Sequence, residues 1–214
     1  MATLHLEPDQ LLTTTRAVRK RLDFDRPVPR ELVEECLEIA IQAPSGSNGQ
    51  PWRWLVVTDP DLKAGIASYY RQSWTAYNRE FAERGAEDAA ARATPIVASA
   101  SYLAERFHEV PVMIIACLRG RADGLDAVGQ ASRYGSVIQA GWSLQLAARA
   151  RSLGTCWTTL HLAYEREVAE LLGLPYDDYQ QVGLITLGYS LGTDFKPAAR
   201  RPLDRVVRWE RWEA

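Results

Sequence analysis

The chain has 214 residues, 47% of them hydrophobic and 24% charged, which is enough apolar material for a substantial core under an ordinary surface. Twenty-five Lys and Arg against 27 Asp and Glu give a formal net charge of -2, so the molecule as a whole lacks the positive field of a nucleic-acid binder. No segment approaches the roughly 18 uninterrupted apolar residues of a membrane helix, and MATLHLEPDQ has no basic stretch followed by an apolar run, so the expectation is a cytoplasmic protein without a membrane partner.

In chain order, Pro8 to about Thr15 reads as a helix with proline in its first turn. A second helix opens at Pro29. Its Leu32, Val33, Cys36, Leu37, Ile39 and Ala40 form a 3.6-period stripe opposite Glu31, Glu34, Glu35 and Glu38, and it stops at Pro44. Residues 52–58, WRWLVVT, have strand composition, and Asp59-Pro60 closes them. The stretch 60–108 is helical in composition but irregular. Residues 110–118, VPVMIIACL, are a continuous apolar run ending at Arg119-Gly120, the mark of a strand buried on both faces.

Residues 132–151 form a helix that is apolar or small around most of its circumference, and so is buried in a core or an interface. Ala140, Gly141, Ala147 and Ala148 would admit a close neighbour. A turn at Leu153-Gly154, a strand at 155–160, a helix at 164–172 and a strand at 181–189 follow. Interleaved strands and helices, with helix in excess, give an α+β or α/β fold around one sheet. Glycines and prolines fall singly and no repeat is visible, so one domain over 1–214 is the default. The irregular tail 192–214 carries Trp209 and Trp212, which want a surface to cover, either a partner subunit or the chain's own core.

Several chemistries have no foothold. There is no G-x-G-x-x-G after a strand, no G-x-x-x-x-G-K-[ST] and no G-x-S-x-G. His5, His108 and His161 are far apart, and His108-Glu109 meets Val112 where a second metal-ligating histidine would stand, so no metal site is expected. Cys36, Cys117 and Cys156, odd in number and without a CxxC, read as reduced core thiols.

Three clusters stand above that background. Arg16-Ala17-Val18-Arg19-Lys20-Arg21 puts four cations at the end of a helix. They form either a solvated basic edge or, with Arg16 and Arg19 three apart on one helical face, a phosphate clamp. The segment Ala43-Pro44-Ser45-Gly46-Ser47-Asn48-Gly49-Gln50-Pro51-Trp52 fixes an unusual path by two prolines and two glycines and carries four hydrogen-bonding side chains. It is a ligand loop or a plain connection. In Leu153–Leu160, the hydroxyls and main-chain N–H groups could meet a planar polar edge, or the segment is a core strand.

Together, TTTRAVRKRLDF, QAPSGSNGQPWRWLVV and LAARARSLGTCWTTL, in this order and at these separations, resemble the FMN-dependent nitroreductase family over nearly the whole chain, least over 60–108. The resemblance implies an α+β fold with a mixed central sheet surrounded by helices, an embracing homodimer with two flavin mononucleotides (FMN) at the interface, and a tail at 192–214 that wraps the partner. The family's R-S-V-R phosphate motif falls on Arg16, Ala17, Val18 and Arg19, with Ala17 in place of the serine, so that one hydrogen bond is lost or supplied by a backbone N–H. Its P-S-x-x-N-x-Q-P loop falls on Pro44, Ser45, Asn48, Gln50 and Pro51, with Gly46 and Ser47 between, and is expected along the flavin ring and ribityl chain. Thr158, Thr159 and Leu160 fall where the family bonds flavin N5 and O4, and Arg200 matches a tail arginine that reaches the phosphate.

The activity implied is an FMN-dependent NAD(P)H:acceptor oxidoreductase, with NADPH or NADH as donor and a nitroaromatic, quinone or related flat electrophile as acceptor. Flavin N5 carries the chemistry by ping-pong hydride transfer, without a catalytic side chain. Dehalogenation and breakdown of the flavin itself occur on the same fold. A flavin carrier or regulator without turnover, and a flavin-free protein with this fold, are the readings of other classes. Tyr69, Tyr70, Trp74, Tyr77 and Phe81 could stack on a substrate or serve as packing.

Overall fold

The computed structural model describes residues 3–83 and 95–212. The first helix, α1 (Pro8–Thr14), begins on its proline and ends in a run of threonines. Thr13, Thr14 and Thr15 each donate Oγ1 to the carbonyl four residues back, at 2.6, 2.6 and 2.7 Å. These β-branched, back-bonding side chains disfavour further helix, and Thr15 is already extended. Ala17 then forms a parallel bridge with Thr155, and the Val18 N–H donates to the Thr155 carbonyl at 2.8 Å. The helical turn expected through Arg16 and Arg19 is therefore replaced by an extended path that turns only at Arg19, and helical spacing does not hold the two arginines together.

Five strands build the sheet: β1 (Leu22–Asp23), β2 (Trp52–Val57), β3 (Val112–Arg119), β4 (Leu153–Thr158) and β5 (Tyr179–Ser190). β3 lies between β2 and β5, and β5 also pairs with β4 and with the two-residue β1. All four ladders are antiparallel. Among the described residues parallel pairing is confined to the bridges Ala17–Thr155 and Gly120–Tyr179, so the mixed character expected of the sheet is slight. The reason lies in the excursion between β2 and β3. Helices α3 (Pro60–Glu83) and α4 (Pro95–Glu105) fold out and back, returning the chain with Met113 opposite Val57.

The core sits on both faces of β3, as its unbroken apolar run requires. Met113, Ile115 and Cys117 join Ile66, Tyr70, Leu103 and Phe107 beneath α3 and α4. Val112 and Ile114 meet Leu32, Val33 and Cys36 of α2 (Arg30–Ala40) and Leu144 of α5 (Ala127–Ala150). Each fully buried isoleucine contributes about 1.5–3 kcal/mol. Helix α5 begins five residues before its expected start, because the Asp126 carboxylate accepts the Gly129 N–H at 2.8 Å and caps it. Helix α6 (Glu165–Leu172) completes the first face. No described helix is long and apolar enough to cross a membrane.

Candidate functional site

Alternation along β4 divides the third cluster between the two faces of the sheet. Thr155 and Trp157 turn toward α5. Thr155 Oγ1 lies 3.5 Å from Gln145 Oε1, and the Trp157 ring fills the space left by the absent side chains of Gly141 and Gly183. Cys156 and Thr158 turn the other way, toward α3. There Tyr70 Oη and Thr158 Oγ1 share a buried hydrogen bond of 3.0 Å. Tyr70 also stacks on Phe107, centroids 3.9 Å apart and 9° from parallel. Tyr70 is thus a core residue, and the Thr158 hydroxyl is engaged inward. Exposed Thr159 and half-buried Leu160 follow at the strand's exit.

The first cluster arrives on this same face. The Arg19 guanidinium lies beside the Cys156 thiol and near the Tyr70 ring. Burial raises the Cys156 pKa, with Arg19 opposing it, and burial likewise raises that of Tyr70. Arg16 and Arg19 are half-buried, Ala17 is exposed, and the Val18 side chain packs into the core against Gly154. Among the described residues neither arginine forms an ion pair. Two half-buried cations without carboxylates are a donor set that fits a phosphate dianion. Arg200 is exposed on the irregular tail, its Nη1 donating to the Ala199 carbonyl at 3.1 Å, and no described contact joins it to Arg16 or Arg19.

The second cluster lies elsewhere. Its 3-10 turn Gly46–Asn48 packs on α5, where the Gly46 N–H donates to Ser136 Oγ at 3.1 Å and Ser136 donates to the Ser132 carbonyl at 2.7 Å. Gly46 lies so close to Ser132 Oγ that a side chain there would have to turn that hydroxyl aside. Ser47, Asn48 and Gln50 all hold positive φ, at 51°, 53° and 43°. Ser45 Oγ accepts the Gln50 N–H at 3.1 Å, and Gln50 Nε2 donates to Asn48 Oδ1 at 3.2 Å. Pro44, Ser45 and Gly46 line a shallow pocket of about 310 Å³ with Ser132, Ser136 and Gln139. Because α5 covers the Thr155 and Trp157 face, one chain places this loop on the opposite side of the sheet from Arg19 and Thr158. A three-part site within a single chain is not what the fold builds.

The remaining expected residues divide by exposure. Tyr69 packs on Tyr164 with centroids 5.3 Å apart, and Trp74 on half-exposed Tyr77 at 6.0 Å. Phe81 lies outside the described side chains. The tail packs Phe195 against the chain's own core but leaves Leu203, Val206, Trp209 and Trp212 exposed, so its two tryptophans do not cover that core. On α5, Ile138 and Trp142 are exposed beside Gly135 and Gln139.

A buried polar chain at the exit of β4 escaped the sequence reading. His161, fully buried, lies near Gln181 with neither ring nitrogen hydrogen-bonded among the described residues, and burial pushes its pKa down to about 4. Gln181 donates Nε2 to the Glu165 carbonyl at 2.8 Å and its N–H to Glu165 Oε1 at 2.9 Å, and Glu165 pairs with Arg121 at 3.0 Å. A lone histidine gives no sequence signal for such a chain.

Comparison with known proteins shows that residues 12–189 match the nitroreductase family. The NADH dehydrogenase of Thermus thermophilus is 31% identical over 215 residues, covering 93% of this chain and 97% of that one. The 4-nitrobenzoate reductase of a Nocardioides species is 28% identical over 223 residues, covering 93% and 88%. Among solved structures, an iodotyrosine deiodinase bound to FMN and 3-iodo-L-tyrosine matches with a TM-score of 0.65 at 25% identity, over 94% of this chain and 98% of that one.

Proposed function

Because this chain belongs to the nitroreductase family, we propose that it is an FMN-dependent NAD(P)H:acceptor oxidoreductase that reduces nitroaromatics, quinones or similar flat electrophiles. The observation that carries the reading is the Arg16–Arg19 segment bridged to β4, two cations without carboxylate partners among the described residues, beside the strand that ends at Thr158. Arg16 and Arg19 would hold the FMN phosphate by charge-assisted hydrogen bonds, joined by tail Arg200. Thr159 and Leu160 would border the ring edge. Thr158 would support them from beneath, because its hydroxyl is already engaged with Tyr70 rather than turned to the flavin. Bound FMN would supply an N5 centre that takes a hydride from NADPH or NADH and hands it on. The protein binds, orients and excludes water, so no side-chain nucleophile is required.

The Pro44–Gln50 loop, on the far face of its own chain, would serve the cofactor of a second copy. The exposed Ile138 and Trp142 on α5 and the exposed tail tryptophans support such a homodimer. The test is a visible spectrum with added FMN, followed by anaerobic titration with NADPH and NADH. A flavin spectrum that bleaches with either donor is expected. A protein that stays colourless refutes the cofactor, and a bound flavin that neither donor bleaches refutes the reductase. The deiodinase similarity favours one second reading, reductive dehalogenation, which iodide release from 3-iodotyrosine would identify.

A further inference from the structure

One rim of the sheet gathers charge that the cofactor reading leaves unused. The start of β2, the end of β3 and the start of β5 meet there, bringing Arg53, Arg119 and, from α5, Arg133 around a pocket of about 570 Å³. Gly49, Gln50 and Pro51 form one wall and Asp177, Asp178 and Tyr179 another. Two of the guanidiniums are anchored on main chain. Arg133 Nη2 donates to the Arg119 carbonyl at 2.7 Å, and Arg53 Nη1 to the Trp52 carbonyl at 2.7 Å. Those anchors leave most of their donors free.

None of the three is in an ion pair among the described residues, although two carboxylates line the same pocket. Three guanidiniums against two carboxylates leave the pocket net positive. Guanidinium forks suit phosphate oxygens, and three of them outnumber the two carboxylates that a cationic ligand would need. The pocket also shares Gly49 and Gln50 with the strained loop, so a ligand seated against that loop can reach this rim. β4 runs toward the same rim, since it is antiparallel to β5, which begins there at Tyr179.

We propose that this pocket is a phosphomonoester subsite, in which Arg53, Arg119 and Arg133 grip a phosphate on the end of a ligand remote from the reacting ring. The 2′-phosphate of NADPH and free phosphate share this chemistry. The NADPH source rests on the oxidoreductase reading, whereas the subsite itself does not.

The experiment is calorimetric titration of the FMN-loaded protein with adenosine 2′-phosphate, adenosine 5′-phosphate and inorganic phosphate, alongside Arg119→Gln and Arg53→Gln. Both arginines are exposed, so the variants should keep the fold and the flavin spectrum. Binding of adenosine 2′-phosphate that weakens about tenfold or more in Arg119→Gln, and falls as salt rises, is expected. Preference for the 2′-phosphate over the 5′-phosphate, with a raised KM for NADPH but not NADH in Arg119→Gln, assigns the nucleotide as source. Equal binding of all three probes, lost in the variants, assigns free phosphate. Absence of binding by any probe, or binding unchanged in both variants, overturns the proposal. Failure of the oxidoreductase reading would appear separately, in the visible spectrum.

Discussion

The Ser45–Gln50 turn carries three non-glycine residues in the left-handed region, and Ser47 isolates the cost of that geometry. Its side chain is exposed and makes no hydrogen bond among the described residues, so changing it alters little besides the backbone preference. A left-handed L-residue costs about 1–2 kcal/mol. Ser47→Gly removes that cost but gives the unfolded chain about 0.4–1 kcal/mol of extra freedom. The net gain is about 0.5–1 kcal/mol, or roughly 1–4 °C in Tm for a chain of this size. Ser47→Val loses the same hydroxyl and adds a β-branch at φ 51°, so it should destabilise by about 1 kcal/mol or more. Thermal unfolding of the flavin-free protein reads both. Shifts of the same sign in the two variants, or a lower Tm for Ser47→Gly, would refute the left-handed turn. Strain of this kind persists where function uses it, so the glycine variant should also hold FMN less tightly.

Arg19→Ala should weaken FMN retention by about 1.5–3 kcal/mol, the worth of a charge-assisted phosphate bond, and unchanged retention in equilibrium dialysis would move the phosphate elsewhere. The thiols should resist iodoacetamide at pH 8, because all three are buried and burial pushes Cys36 up to about 11 and Cys117 to about 12; rapid labelling of Cys156 in the folded protein would show its Arg19 side to be open. His161 carries a pH signature. Its folded pKa of about 4 lies below the ordinary 6.5, so between those values the unfolded chain binds a proton that the folded chain refuses. Stability should therefore fall as pH drops from 6.5 to 4, by up to about 3 kcal/mol. Denaturant melts of His161→Phe should be flatter across that window, and an unchanged slope would show that His161 is not buried neutral.

What the sequence disclosed and what it hid follow from the range of the forces involved. β3 was legible because burial on both faces demands an unbroken apolar run, and α2 because its stripe and acidic face repeat at 3.6 residues. The loop was legible as a set of residue types. Its left-handed turn at Ser47, Asn48 and Gln50 was not, since only contact with Ser132 and Ser136 of α5 fixes that path. The Arg16–Arg19 segment misled because helix periodicity was carried through three threonines whose hydroxyls end the helix. β1, two residues long, has no pattern to read. The rim arginines Arg53, Arg119 and Arg133 are scattered in sequence and meet only because β2 and β3 pair in a particular register.

The proposed sharing of each flavin between two copies predicts an outcome that mixed assemblies can decide. If each flavin takes Arg16 and Arg19 from one copy and the Pro44–Gln50 loop from the other, a dimer pairing an Arg19→Ala chain with an Asn48→Ala chain holds one site with both lesions and one with neither. If a single chain supplied both parts, every site in that mixed dimer would carry one lesion. Co-expression with random pairing makes about half of the dimers mixed, so about a quarter of all sites should be intact. Flavin content and NADPH turnover near that fraction, from two variants each defective alone, would require the shared arrangement. Activity no higher than the average of the two parents would instead place the loop and the arginines of one chain on the same flavin, against the opposed faces that Trp157 and Thr158 mark on β4.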